Sequence, residues 1–134
     1  MQLQPYLSFD GRCEEAIDFY RRAVDAEVVM LMRFSDAPDP AMHPPGGADK
    51  VMHAALRIGD SQVMCTDGGC QGRAVFQGTS LALTVADEAE AERRFAALAE
   101  GGQVQMPLAQ TFFATRFGLV HDRFGVPWMI VTAD

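Results

Sequence analysis

An α+β fold built from two βαβββ modules is what this 134-residue chain predicts, on the strength of one long repeat and two kinds of apolar periodicity. Leu7-Ser8-Phe9-Asp10 runs into a helix-like stretch carrying Ala16, Ile17, Phe19 and Tyr20. Leu83-Thr84-Val85-Ala86-Asp87 runs into another carrying Ala91, Phe95 and Leu98. Tyr20 and Phe95 stand 75 positions apart, and the strand residues Leu7 and Leu83 stand 76 apart. A period this long, used twice, describes a pseudo-symmetric domain and not a solenoid. One domain over residues 1–134 follows, with modules of about 1–70 and 76–134.

The elements can be justified in order. Gln4 to Phe9, with Tyr6, Leu7 and Phe9, reads as a strand broken by Asp10-Gly11. From Cys13 to Ala26, the residues Cys13, Ala16, Ile17, Tyr20, Ala23 and Val24 keep helical spacing, while Glu14, Glu15, Asp18, Arg21 and Arg22 fill the other face. Val28 to Phe34 is a second strand. Ser35 to Lys50 holds four prolines and two glycines and reads as a long loop, mobile or acting as a lid. Val51 to Ile58 and Gln62 to Asp67 flank Gly59-Asp60-Ser61 and form a hairpin. Asp67 to Gly72 is the expected linker.

The second module opens with a strand from Thr79 to Val85. Asp87 followed by Glu90 is a capping-box pattern, and Gly101-Gly102 closes the helix it starts. Gln103 to Met106 is a short strand ended by Pro107. Thr111 to His121 and Val126 to Thr132 flank the turn Asp122-Arg123-Phe124-Gly125.

Composition removes several classes of function. Hydrophobic residues at 49% and charged ones at 22% suit a globular domain. No apolar run approaches the roughly 20 residues that cross a bilayer, and no cationic-then-apolar start marks a secretory signal. A net charge of −7 argues against nucleic acid or an anionic membrane as partner. Cys13, Cys65 and Cys70 have no metal-ribbon spacing; an odd count without an export signal reads as reduced thiols in the cytoplasm.

Strand parity points to a site. In Val51 to Ile58 the apolar set Met52, Ala54, Leu56 and Ile58 opposes Val51, His53, Ala55 and Arg57. Leu7 and Phe9 oppose Gln4, Tyr6 and Ser8, and Leu81, Leu83 and Val85 oppose Ser80, Ala82 and Thr84. Such polar faces are commonly just solvated. The repeat favours a shared concave cup instead. A lone strand histidine such as His53 is more often a hydrogen-bonded structural residue than a catalyst, although its titration range suits proton transfer. His43 falls in the Pro-rich loop and His121 at a hairpin end, so no local pair of histidines makes a metal clamp. Phe112, Phe113, Phe117 and Trp128 gather aromatic mass in the second module. Core packing is the plain reading for Trp128, while one of Phe112 and Phe113 is expected to line the cup.

These stretches resemble the glyoxalase/bleomycin-resistance superfamily, the vicinal oxygen chelate proteins, and in particular its PhnB-like, demethylubiquinone methyltransferase-like branch. Pro5-Tyr6-Leu7-Ser8-Phe9 with Ala16 to Tyr20 carries the resemblance, as do His53 to Gly59. So does Thr111-Phe112-Phe113 with Phe117-Gly118 and Asp122 to Trp128. The resemblance implies a cup-shaped mixed sheet with helices on its outer face, and a homodimer. Metal-dependent relatives place His and Glu on the first and last strands of each module. The matching positions here are Gln4 (or Pro5), Met64, Ser80 and Met129, and thioethers are poor ligands for hard divalent ions. The Gly-rich turn on a parallel sheet that binds adenosylmethionine is also missing from the pattern. His53 and Asp67 match residue types of the branch.

The expected function is metal-independent binding of a small organic ligand, with no cofactor and a divalent metal disfavoured. Gln4, Tyr6, His53, Arg57, Ser80 and Phe113 would line the cup, and Met64 and Met129 would supply apolar contact. The alternative is a lyase or isomerase with His53 as general base and Arg57 stabilising an enolate or carboxylate, with or without a divalent metal.

Overall fold

The computed structural model describes residues 1–39, 46–68 and 73–134. The elements run β1 (Tyr6–Ser8), α1 (Cys13–Ala23), β2 (Glu27–Arg33), a single 3-10 turn at Phe34–Asp36, β3 (Val51–Ile58) and β4 (Ser61–Thr66). They continue with β5 (Leu81–Val85), α2 (Glu88–Ala99), β6 (Gln103–Ala109), β7 (Phe117–His121) and β8 (Pro127–Thr132). The chain divides into two units, Met1–Ala74 and Val75–Asp134. No described helix is long and apolar enough to cross a membrane.

In the first unit the strand order is β1-β4-β3-β2, with β1 and β4 parallel and the other pairs antiparallel. One face of this sheet carries Leu7, Ala54, Leu56 and Cys65, all buried. Cys13, Ala16, Ile17, Phe19, Tyr20 and Ala23 bury the matching face of α1, with the Cys13 and Cys65 thiols in contact. Each large apolar side chain buried this way contributes about 1.5–3 kcal/mol. Helix α1 stops at Ala23 and not at Ala26, because Asp25 turns the backbone left-handed at φ +54. Val24 and Ala26 nonetheless stay buried. Gly59 takes φ +58 as the first of two residues between β3 and β4, the position where a type II′ hairpin turn needs glycine. The strand therefore resumes at Ser61.

The second unit repeats the order as β5-β8-β7-β6, again with the outer pair β5 and β8 parallel. Val85, Val120, Trp128 and Ile130 are buried on one side of the sheet, as are Ala91, Phe95 and Leu98 of α2. Gly118 is required by that packing: a Cβ there would come within 2.7 Å of the Phe95 ring and 3.1 Å of the Leu108 backbone. Asp87 caps α2, accepting Glu90 N–H at 2.9 Å, while Glu90 accepts Ala86 N–H at 3.1 Å. Only the Asp87 half of the expected capping box is formed, because Glu90 reaches the amide before the cap and not that of Asp87 itself.

Several strand limits differ from expectation: β1 begins at Tyr6 and not Gln4, and β5 at Leu81 and not Thr79, so Gln4 and Ser80 precede their strands. Strand β6 runs through Pro107 to Ala109, because it lies at the sheet edge where a missing N–H is tolerated; its register with β7 shifts on either side of Met106. Strand β7 begins at Phe117, not Thr111. Thr111 Oγ1 accepts the Ala114 N–H at 3.1 Å and Thr111 N–H donates to Ala114 O at 3.0 Å, folding Thr111–Ala114 into a turn. In the Pro-rich segment, residues 40–45, and with them His43, lie outside the described residues, so the lid expectation concerns a stretch only partly described. Its two ends are tied together by Phe34 N–H to Lys50 O at 3.0 Å and Ser35 N–H to Ala48 O at 2.7 Å. Linker residues 69–72, including Cys70, are likewise outside.

Candidate functional site

The sheet faces turned away from the helices carry Tyr6, His53, Arg57, Met64 and Met129, while Gln4, Ser80 and Phe113 lie outside the strands. In the first unit Tyr6, Met64, Ala55 and Met30 form one row across all four strands. In the second, Ala82, Met129, Leu119 and Met106 form the corresponding row. The repeat seen in the sequence thus recurs at the level of register, with methionine on the last strand and on the edge strand of both modules. Flexible thioethers give such a face an adaptable apolar lining.

Tyr6 and His53 are brought together. The Tyr6 hydroxyl lies 3.2 Å from His53 Nδ1, and the rings meet edge to face with centroids 5.5 Å apart. Tyr6 is 54% exposed and His53 half-buried, so the pair is reachable by solvent. One row further along, Gln62, Arg57 and Glu27 are neighbours in register. Gln4 Nε2 donates to Gln62 Oε1 at 2.8 Å. Arg57 is ion-paired to Glu27, so its charge is already answered and an anionic ligand would have to compete with that carboxylate.

Of the three candidates of the second unit only Met129 lies on a strand; Ser80 precedes β5 and Phe113 precedes β7. Ser80 borders a cavity of about 330 Å³ that is also lined by Phe76, Gln77, Gly78, Thr79, His121 and Pro127. Met129 sits mid-face between Ala82 and Leu119. Phe113 is on the Thr111 turn and not on a strand face. Its ring packs edge-on against Phe112 and Phe117, each at 5.1 Å. Both Phe112 (99%) and Phe113 (52%) are exposed and lie before β7, outside the strand expected to start at Thr111. Sequence reasoning placed His121 at a hairpin end and missed that it borders the cavity from the end of β7.

Two carboxylates, Asp67 and Asp122, are held by structural partners. Asp67 Oδ1 accepts the Gly11 and Cys13 amides at 2.7 and 2.9 Å, and Oδ2 accepts Val51 N–H at 3.0 Å. It serves as the cap that Arg12 does not provide for α1. Asp122, 3% exposed, accepts Phe124 and Val126 N–H through Oδ1 and the Trp128 indole N–H through Oδ2. Among the described residues no three His, Cys, Asp or Glu side chains gather where they could hold a metal ion.

Paired βαβββ modules with this strand order place the chain in the glyoxalase/bleomycin-resistance, or vicinal oxygen chelate, superfamily. The family model described as 3-demethylubiquinone-9 3-methyltransferase matches residues 1–131, and the chain belongs to that PhnB-type family. It is 39% identical to Protein YjdN of Escherichia coli, over 97% of this chain and 94% of that protein. Among solved structures, protein PA1353 from Pseudomonas aeruginosa is 42% identical with a TM-score of 0.87, covering 98% of this chain and 97% of that one. A PhnB protein from Bacillus cereus, described as a putative 3-demethylubiquinone-9 3-methyltransferase, is 30% identical with a TM-score of 0.83, covering 99% and 100%. The fosfomycin resistance protein FosX from Mesorhizobium loti, at 13% identity and a TM-score of 0.68 over 100% of this chain and 92% of that one, shares the fold.

Proposed function

We propose that this protein binds a small organic molecule without a metal, against the helix-free faces of its sheets. The observation that carries this reading is the Tyr6–His53 pair: a phenol and an imidazole in mutual hydrogen-bond contact beside the Met64 row, on a face that no helix of its own unit covers. A phenol hydroxyl and a ring nitrogen can bind a carbonyl or hydroxyl, and the methionines and Ala55 provide apolar contact. Metal independence is supported by the donor set, since Gln4, Met64, Ser80 and Met129 offer two amide or hydroxyl oxygens and two thioethers. Methyl transfer, named in the family description, gains no support from the two mixed four-stranded sheets, which differ from the parallel sheet and Gly-rich turn that hold adenosylmethionine.

The protein acts as a homodimer in the cytoplasm. The exposed apolar residues Val28, Val29 and Met30 on β2 and Val104 and Met106 on β6 support association, and the buried free thiols Cys13 and Cys65 support a reducing compartment. A lyase or isomerase activity is the second reading, favoured by one observation: the Tyr6 hydroxyl orients the His53 ring as a general base requires.

Thermal-shift screening of aromatic and carbonyl compounds tests the binding reading. A ligand at about 100 times its Kd stabilises by about 2.7 kcal/mol, which raises the melting temperature by several degrees. Tyr6→Phe and His53→Ala should abolish the shift. A screen with no shift, or a divalent ion retained stoichiometrically and removable by chelator, would sink the proposal.

A further inference from the structure

The cavity of the second unit has a composition of its own. It lies where the chain enters β5 and where β7 passes to β8, and His121 and Pro127 are direct partners in register. Phe76 and Pro127 contribute flat apolar surfaces; Gln77, Thr79, Ser80 and His121 contribute an amide, two hydroxyls and an imidazole. No described protein group hydrogen-bonds those four polar side chains. Among the described residues no Asp, Glu, Lys or Arg lines the cavity, although the chain as a whole carries a net charge of −7. A volume of about 330 Å³ is at the small end of ligand sites.

From this lining we infer that the His121–Ser80 cavity is a binding site for a small, neutral, planar ring bearing a hydroxyl group, of the phenol class. The ring packs between Phe76 and Pro127, and its hydroxyl exchanges hydrogen bonds with His121 and with Ser80 or Thr79. An anion is disfavoured because no guanidinium or ammonium lines the cavity to answer its charge. A saturated ring has the apolar area but not the flat face. The inference rests on the small-molecule reading above, yet uses residues that the Tyr6–His53 pair does not.

The test is an NMR titration of the full chain with phenol, benzoate and cyclohexanol, following the imidazole signals assigned with His121→Leu and His53→Ala. Phenol should shift the His121 ring and the Phe76 and Ser80 amides saturably, with a Kd of about 1 mM, as expected for a fragment of this size. Benzoate and cyclohexanol should bind at least about tenfold more weakly, and His121→Leu should weaken phenol binding at least about fivefold. Movement of His121 while His53 stays unchanged supports the cavity whatever becomes of the other face. Movement of His53 alone overturns this inference and leaves the first reading intact. No saturable shift at His121 up to about 10 mM phenol, or equal binding of cyclohexanol or benzoate, also overturns it. If His121→Leu fails to fold, the saturable shift of the Phe76 and Ser80 amides in the wild-type titration decides.

Discussion

The Trp128 indole N–H donates to Asp122 Oδ2 at 2.9 Å, while Asp122 Oδ1 holds the Phe124 and Val126 amides, so one buried carboxylate closes the β7–β8 turn on the core. Gly125, at φ +85, donates to Asp122 O at 2.9 Å and completes the reversal. Asp122 to Trp128 is therefore a folding motif. Asp122→Ala strands three donors in a buried setting and should destabilise the protein by about 2–4 kcal/mol in urea unfolding. Trp128→Phe should cost about 1–3 kcal/mol, and the double mutant should show coupling above about 0.5 kcal/mol. Strict additivity would mean that the indole contact contributes nothing.

Asp67 and Asp87 cap their helices by different routes. Asp87 is the N-cap residue of α2 itself, whereas Asp67 reaches the start of α1 from beyond β4 and ties β3 to it as well. Asp87→Ala should cost about 1 kcal/mol, the usual value for a lost N-cap. Asp67→Ala should cost about 2–4 kcal/mol, since three amides lose their acceptor. Denaturation midpoints of the two variants compare these directly; equal losses would show that the long-range cap is no stronger than the local one.

Much of this fold was legible in the chain because periodicity reports which face is buried. The spacing of Ala16, Ile17 and Tyr20, the alternation of Ala54, Leu56 and Ile58, and the doubled plan all reflect burial, and burial dominates the energetics. Features that depend on where an element lies in the sheet were not legible. Pro107 reads as a strand terminator unless β6 is known to be an edge, and Thr111 reads as β-branched strand until its hydroxyl is seen holding a turn. The candidate site divides in the same way. Tyr6 and His53 share a parity and meet, whereas the closeness of His121 to Ser80 depends on tertiary placement.

The Cys13 and Cys65 thiols face one another with no solvent exposure. Their mutual hydrogen bond and then burial push the Cys13 thiol far above the ordinary range, so it stays protonated across physiological pH. Cys13 lacks the reactive thiolate and Cys65 is closed off by burial, so neither should be alkylated by iodoacetamide in the native protein at pH 8, and both should react fully in denaturant. Peptide mass spectrometry reads this out. Modification of Cys13 at the rate of a free thiol before unfolding would contradict the packing of α1 on β4.

Arg33 gathers three segments that sequence alone leaves unconnected. Its guanidinium pairs with Glu14 of α1 at 2.6 Å and donates to Asp49 O at 2.8 Å, while its own amide donates to Asp36 at 2.8 Å. The hydrogen bond from Arg33 holds the Glu14 carboxyl below its ordinary value of 4.5. A carboxylate with a lowered folded-state value adds stability above its unfolded value, and that contribution is lost as pH falls through the folded one. The effect of the pair should therefore be full at neutral pH and fade below about pH 4.5. Both side chains are substantially exposed, so its size should be small and should shrink in 1 M salt. Glu14→Gln should lower the melting temperature slightly at pH 7 and converge with wild type near pH 2–3. A constant difference across that range would show that Glu14 acts through packing and not through its charge.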